Sequence, residues 1–386
     1  RASEKITRSR HGSNTPARQI KNAMSLRAVL IGIFYIITGM AGLLNLAGKI
    51  RNLGLVSRIF FRVTRPGLYF RVFRNSLKNL LGFHSPASAV VAVTYRCQLS
   101  CAHCSAGLYK RDGAGELSLE QWKDALSQIA RTGAPRLNIS GGEALLRPDI
   151  LELIRFASGR FVTVLESNGE LLDSARIQEL KNAGLACAAI SVDAPDAAGH
   201  DRLRGKAGCF AAARRALELC SAGGLPAVVS TYVTAERATA ENLAALEKLA
   251  RETGALAVLV MPARPVGSFW CSASSKLSFA QEKFLVETMD RSLCYFKGLP
   301  GPEDCGIFTR NTFYISPYGE VQPCAYLPLA FGDVPAEPLA AILERMWTHK
   351  VFDTSTRTCL ILDDAFREKN VPVKEVFSGK LPFRIT

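Results

Sequence analysis

Between residues 89 and 261 the chain repeats one pattern six times, a short apolar run followed by a stretch whose apolar residues have helical spacing. The runs cover residues 89–95, 136–139, 161–166, 186–192, 227–233 and 256–261. Six βα units in series require a parallel sheet. The intervening helices have readable ends: Ser118 and Gln121 make a capping box, Gly133 closes the helix that they start, and Gly184 and Gly254 close two later ones. Polar motifs follow directly after the first four runs. In a barrel those loops share one end, where active sites are built. A barrel of six βα units is therefore expected, with an open Rossmann-type sheet as its rival.

Charge sets this unit apart from what precedes it. Residues 1–90 hold 15 Lys or Arg and a single acid, Glu4, which accounts for the whole net charge of +14, because the remainder carries 33 of each sign. An enzyme that collects nucleic acid over its whole surface is thereby disfavoured. Residues 28–48 form an uncharged run of 21, which as a helix is ~30 Å long and enough to cross a bilayer once. Gly32, Gly39, Gly42, Thr38 and Asn45 dilute that run, so a buried core helix is the alternative. Farther on, Phe70, Phe73, Leu77, Leu80 and Leu81 recur at helical spacing, with Arg71, Arg74 and Lys78 on the adjoining face. Residues 68–81 are thus expected to be an amphipathic helix, either interfacial on anionic lipid or packed on the enzyme. Basic flanks on both sides of the apolar run leave its orientation open; the expected location is the cytoplasmic face of a membrane, single-pass or monotopic. The first residue is Arg rather than Met, so the true start is expected upstream.

Eleven cysteines, three of them within eight residues, speak against a complete set of disulfides and for thiolate and metal chemistry in a reducing compartment. The three form Cys97-Gln-Leu-Ser-Cys101-Ala-His-Cys104, directly after the first strand. Thiolates so placed can hold three corners of a [4Fe–4S] cube and leave one iron open, whereas zinc would want a fourth ligand such as His103. The triplet resembles that of the radical S-adenosylmethionine (radical SAM) enzymes, and further motifs follow in the family's order. Ser140-Gly141-Gly142-Glu143 is similar to the family's glycine-glycine-glutamate element, which implies that Glu143 and the backbone at Gly141 and Gly142 accept the methionine ammonium of S-adenosylmethionine (SAM). Ser167-Asn168-Gly169 resembles the turn near the SAM ribose, which gives Asn168 that role. The resemblance assigns the SAM carboxylate to Ser191, of Ser191-Val192-Asp193, and to Arg204. Met261 resembles an apolar contact to adenine and is equally compatible with a core methionine. The chemistry implied is reductive cleavage of SAM to a 5′-deoxyadenosyl radical, which takes hydrogen from a substrate.

Near the C-terminus, Cys305-Gly306 and Ile315-Ser-Pro-Tyr-Gly319-Glu-Val-Gln-Pro-Cys324 resemble the start of the auxiliary-cluster extension known as SPASM, or its shorter form, Twitch. Pro317 and Gly319 fit a tight hairpin. Only Cys359 follows, so one further iron–sulfur cluster is expected on Cys305, Cys324 and Cys359, its fourth ligand being Cys294 or no protein residue. Cys187, Cys209, Cys220 and Cys271 are expected to be ordinary thiols. The expected division is a basic membrane-associated segment at 1–85, a radical SAM partial barrel at 86–290 and a small α+β cluster domain at 291–386.

The function expected is a radical SAM enzyme that modifies a peptide or protein, supplied with electrons by a reductase such as flavodoxin or ferredoxin. The same chemistry on a lipid or other membrane-borne small molecule is the alternative. A non-catalytic iron–sulfur electron carrier is the second alternative, and it has no need of the SAM site to which Glu143 and Arg204 point. An RNA-modifying enzyme with a basic clamp is disfavoured by the uncharged run. No single Asp or Tyr stands out as a general acid or base.

Overall fold

The computed structural model describes residues 61–64, 66–81, 85–111, 115–270, 276–297, 305–354, 359–371 and 381–385, and the single positions 55, 59, 113 and 376. The uncharged run at 28–48 lies outside the described residues. Among those described, no helix is long and apolar enough to cross a membrane. The expected amphipathic helix is present at Pro66–Leu80.

Seven parallel strands follow one another in the chain and in space: β1 (Ser88–Ala92), β2 (Arg136–Ser140), β3 (Val162–Ser167), β4 (Cys187–Ser191), β5 (Ala227–Val233), β6 (Val258–Pro262) and β7 (Cys294–Phe296). On the far side of β1 lies β8 (Thr312–Ile315), also parallel, and β9 (Val321–Gln322) completes that edge antiparallel to β8. The result is one nine-stranded sheet. A Rossmann arrangement is excluded, because there the strand order reverses at a switch point, whereas β1 to β7 never reverse. Right-handed crossovers that always step the same way place their helices on one face of the sheet. Side chains on that face, such as Leu137, Ile139, Leu165, Ile190, Val229 and Val260, are fully buried. On the opposite face Asn138, Glu166, Ser191, Ser230, Leu259 and Tyr295 are half-buried, so a polar interior surface runs across the strands, as in a partial barrel.

The helix ends behave as the sequence predicts. Ser118 and Gln121 form both halves of the capping box of the helix Leu119–Thr132, and Gly133 and Gly184 are left-handed caps. The region after residue 290 differs from expectation. Its first strand, β7, belongs to the barrel sheet, and its hairpin β8–β9 extends the same sheet at β1. Among the described residues a separate sheet is formed by β10 (Leu329–Ala330) and β11 (Phe383–Arg384), which pair in parallel. The barrel and the C-terminal extension therefore share one hydrogen-bonded framework.

Candidate cofactor site

The parallel strands end at a common rim, and the loops leaving it carry the sequence motifs. The segment leaving β1 lies directly on the one leaving β2, with Gly142 N donating to Thr94 O at 2.7 Å and Glu143 N to Arg96 O at 2.8 Å. A Cβ on Gly141 would stand 2.3 Å from Thr94 O, and one on Gly142 would stand 2.3 Å from Arg96 O. Two glycines are required here by the contact of one main chain with another. The cysteine loop that follows is held from both sides: Ala102 N donates to Leu203 O at 3.0 Å, and Ser268 N donates to Ala102 O at 2.9 Å. Gly267 makes the second approach possible, since with φ +62 its Cβ would meet Ala102 O at 2.7 Å and Cys104 N at 2.8 Å.

Within that loop Cys97 is exposed while Cys101 and Cys104 are half-buried. Their sulfurs already face donors. Leu99 N points to Cys97 Sγ and Gly107 N to Cys104 Sγ, each at 3.4 Å, and the Arg204 guanidinium lies 3.8 Å from Cys101 Sγ. Burial pushes the Cys97 thiol up, and pushes Cys101 up to about 11 against the pull of Arg204. Among the described residues no three His, Cys, Asp or Glu side chains converge on a single metal ion. A cube asks for less convergence, because each thiolate binds its own iron. Soft, accessible sulfurs that already face N–H and guanidinium donors suit such a cluster. His103 does not complete a zinc site, for its Nε2 is turned to Asp193, 3.3 Å away.

Glu143 is fully buried and works first for the protein. Its carboxylate accepts from Leu145 N at 3.1 Å, Asn168 N at 2.9 Å and Ser167 Oγ at 3.0 Å, which ties the exit of β2 to the exit of β3. A carboxylate offers four acceptor positions, so these donors leave one. Burial raises its pKa in spite of those bonds. Asn168 turns its Oδ1 to Gln98 Nε2 at 3.3 Å and to Glu170 N at 3.0 Å, so the cysteine loop is braced against β3 as well.

Arg204 is held by a protein carboxylate. Its NH2 lies 2.7 Å from Asp193 Oδ2, a 1% exposed carboxylate two residues past β4. This is an ion pair off the hydrogen-bonding direction, and Arg204 Nε is buried without a hydrogen-bond partner among the protein atoms. Ser191 ends β4 half-buried nearby. Asp193 also accepts from Tyr232 N at 3.0 Å, and its own N–H donates to His200 Nδ1 at 3.1 Å. Burial alone would raise the Asp193 pKa, but Arg204 and the two histidines outweigh it and hold the carboxyl below its usual range. Burial brings His103 and His200 down to about 4, so both are neutral at pH 7. The His103 ring stacks on Tyr232 with centroids 5.0 Å apart, and Tyr232 Oη accepts from Arg264 N at 2.6 Å. Asp193, Tyr232 and Arg264 carry no role that a sequence motif announces. The available signal was position alone: each lies in or just past the exit of β4, β5 or β6.

Cys305, Cys324 and Cys359 are half-buried and within electrostatic reach of one another. Backbone N–H groups of Ile307 and Phe308 serve the Cys305 sulfur, and those of Tyr326 and Leu327 serve Cys324. Burial pushes these two thiols up to about 11 and about 12. The glycine after Cys305 is needed, since a Cβ on Gly306 would stand 2.1 Å from Thr312 Cγ2. Cys294 is not brought to this group: it is fully buried in β7 and its Sγ faces Glu247 Oε1 at 3.4 Å. Cys187, Cys209 and Cys220 are buried thiols, and Cys271 lies outside the described residues.

Known proteins resemble this chain in sequence and in fold. The profile of the Radical SAM superfamily matches residues 91–250. An AdoMet-dependent heme synthase of Methanosarcina barkeri is 27% identical over 68% of this chain and 83% of its own length. A PqqA peptide cyclase of Rhodopseudomonas palustris is 31% identical over 69% of this chain and 74% of its own. Among solved structures, Streptococcus suis SuiB bound to its precursor peptide SuiA has the same fold, with a TM-score of 0.58 at 16% identity over 75% of this chain and 72% of that one.

Proposed function

The chain belongs to the radical SAM superfamily, enzymes that use a [4Fe–4S] cluster and SAM, and we propose that it uses them to modify a peptide or protein. The observation that carries this reading is the likeness to a peptide cyclase across three quarters of that enzyme's length. A mycofactocin maturase, 37% identical over 155 residues, adds to it. In this reading Cys97, Cys101 and Cys104 hold the cluster. When bound, cluster and SAM together supply a 5′-deoxyadenosyl radical. The fourth acceptor position of Glu143 takes the SAM ammonium, and the unpartnered Arg204 Nε, with Ser191, takes its carboxylate. Asp193 fixes the direction of that guanidinium, and Asn168 stands by the ribose. The stacked His103 and Tyr232 keep water from the rim. Cys305, Cys324 and Cys359 hold one further cluster.

The heme synthases among the relatives favour a second reading, the same chemistry on a small molecule. The test is anaerobic incubation of reconstituted full chain with SAM and dithionite, adding peptide fractions, lipid extract or a tetrapyrrole separately and following 5′-deoxyadenosine. Peptide fractions should stimulate its release severalfold. Stimulation by lipid or tetrapyrrole alone selects the second reading, and no cleavage of SAM under any condition leaves an electron carrier.

A further inference from the structure

Of the eight exposed large hydrophobic side chains among the described residues, five fall within 21 residues: Phe61, Phe70, Phe73, Leu77 and Leu81. Four of these lie on or directly after the helix Pro66–Leu80, which carries no acid in its sequence. Arg62, Arg74 and Lys78 stand exposed among them. The helix is nevertheless fixed to the barrel by its other face. Leu68 and Val72 are buried, and the two N–H groups of Asn75, 1% exposed, are shared among Ser85 Oγ at 2.6 Å, Gly133 O at 3.0 Å and Pro86 O at 3.1 Å. Asn79 adds a bond to Ser85 O at 3.0 Å. Ordered inward and apolar outward, the helix presents a ridge.

The anchoring partners also fix where that ridge points. Ser85 and Pro86 immediately precede β1, and Gly133 precedes β2. The ridge thus sits at the N-terminal ends of the strands, while Cys97, Glu143, Ser191 and Arg204 lie at or beyond their C-terminal ends. A strand of five or six residues separates the two ends by roughly 17–20 Å.

We propose that this ridge docks on a bilayer containing anionic phospholipid, and that docking holds the cofactor rim facing away from the lipid. Aromatic and leucine side chains with Lys and Arg beside them, and no acid, match the interfacial region of such a membrane. The charge of the chain agrees, because every excess cation lies in residues 1–90. The orientation deepens the functional reading on which it rests: a rim turned to the aqueous side is reached by a water-borne peptide and not by a lipid that stays in the bilayer.

The test uses the full chain and two exposed phenylalanines at opposite ends of the sheet. Phe70 and Phe279 are each 71% exposed. Phe279 opens a helix whose Gln281 donates to Ala235 O, just past the end of β5, so it lies on the rim side. Phe70→Trp and Phe279→Trp are mixed with vesicles of phosphatidylcholine and phosphatidylglycerol with brominated acyl chains, and fluorescence is compared with wild type. The added Trp at 70 should be quenched and that at 279 should not. Arg74→Glu together with Lys78→Glu should lower partitioning at least tenfold, since each replaces attraction to the anionic surface by repulsion. No quenching at 70 would mean that the ridge is covered by the chain itself or by a protein, and equal quenching at both sites would mean no fixed orientation. Either result overturns the proposal, as does equal quenching on phosphatidylcholine alone. SAM cleavage by these variants in lipid-free buffer should match wild type. If wild type cleaves no SAM, the functional reading falls while the quenching pattern still decides the docking.

Discussion

Asp193 sits between a guanidinium and an imidazole with 1% of its side chain exposed, so its charge is compensated by neighbours and hardly by water. Removing one member of such a buried pair leaves the other charged and unpaired, which costs about 3–5 kcal/mol. Asp193→Asn should lose about that much in urea unfolding of the iron-free chain and should weaken SAM binding, because Arg204 is no longer held. Adding Arg204→Gln should recover part of the stability but none of the binding. A cost well under 1 kcal/mol would show that water compensates Arg204 after all. The histidines on either side of Asp193 make a pH prediction of definite sign. Their folded values, about 4, lie below the ordinary 6.5. The stability they confer is complete above pH 6.5 and is lost as pH falls toward 4, since the unfolded chain takes up those protons first. Each contributes on the order of 3 kcal/mol. His200→Asn keeps an acceptor for Asp193 N–H and removes one of the two titrations, so its stability should fall less steeply than that of wild type between pH 6.5 and 5.

At the scale of elements, the loops at the rim depend on main-chain contacts that admit no side chain. Gly142→Ala would put a methyl 2.3 Å from Arg96 O, and the two strand exits would have to separate. That variant should lose cluster iron on gel filtration and melt well below wild type, whereas Gly115→Ala, with open space around it, should do neither. Retention of iron by Gly142→Ala would mean that the loop contact does not position the cysteines. The Gly141-Gly142-Glu143 element was legible as a motif, whereas the main chain leaving β1 that packs against both glycines was not. Six strands and their helix caps were legible because hydrophobic periodicity and glycine caps are local signals. β7 was not, for three residues carry no periodicity. Nor was the pairing of β8 with β1, where Tyr314 Oη and Tyr95 Oη meet at 2.9 Å across 219 positions. Asp193, likewise, is an ordinary strand-end aspartate until the fold brings Arg204 and His103 to it.

For the whole molecule, the shared sheet means that both groups of cysteines hang from one framework: the first loop leaves β1, and Cys324 stands two residues beyond β9, two strands away in the same sheet. Further contacts bind the two regions, among them the ion pair of Arg111 with Glu320 at 2.9 Å and the ring of Tyr318 under the Arg111 guanidinium at 4.1 Å. The extension should therefore fold with the barrel even when the first cluster cannot form. This makes the two clusters separable by iron count. Wild type reconstituted anaerobically should hold about eight irons, and replacement of Cys97, Cys101 and Cys104 by Ala should leave about four while abolishing SAM cleavage. Replacement of Cys305, Cys324 and Cys359 by Ala should also leave about four, but with SAM cleavage retained, because the cysteine loop itself is braced by Leu203, Ser268 and Asn168. Circular dichroism of each variant guards against misreading an unfolded chain. If the first variant is folded yet almost free of iron and sulfide, then Cys305, Cys324 and Cys359 are structural thiols and the enzyme works with a single cluster.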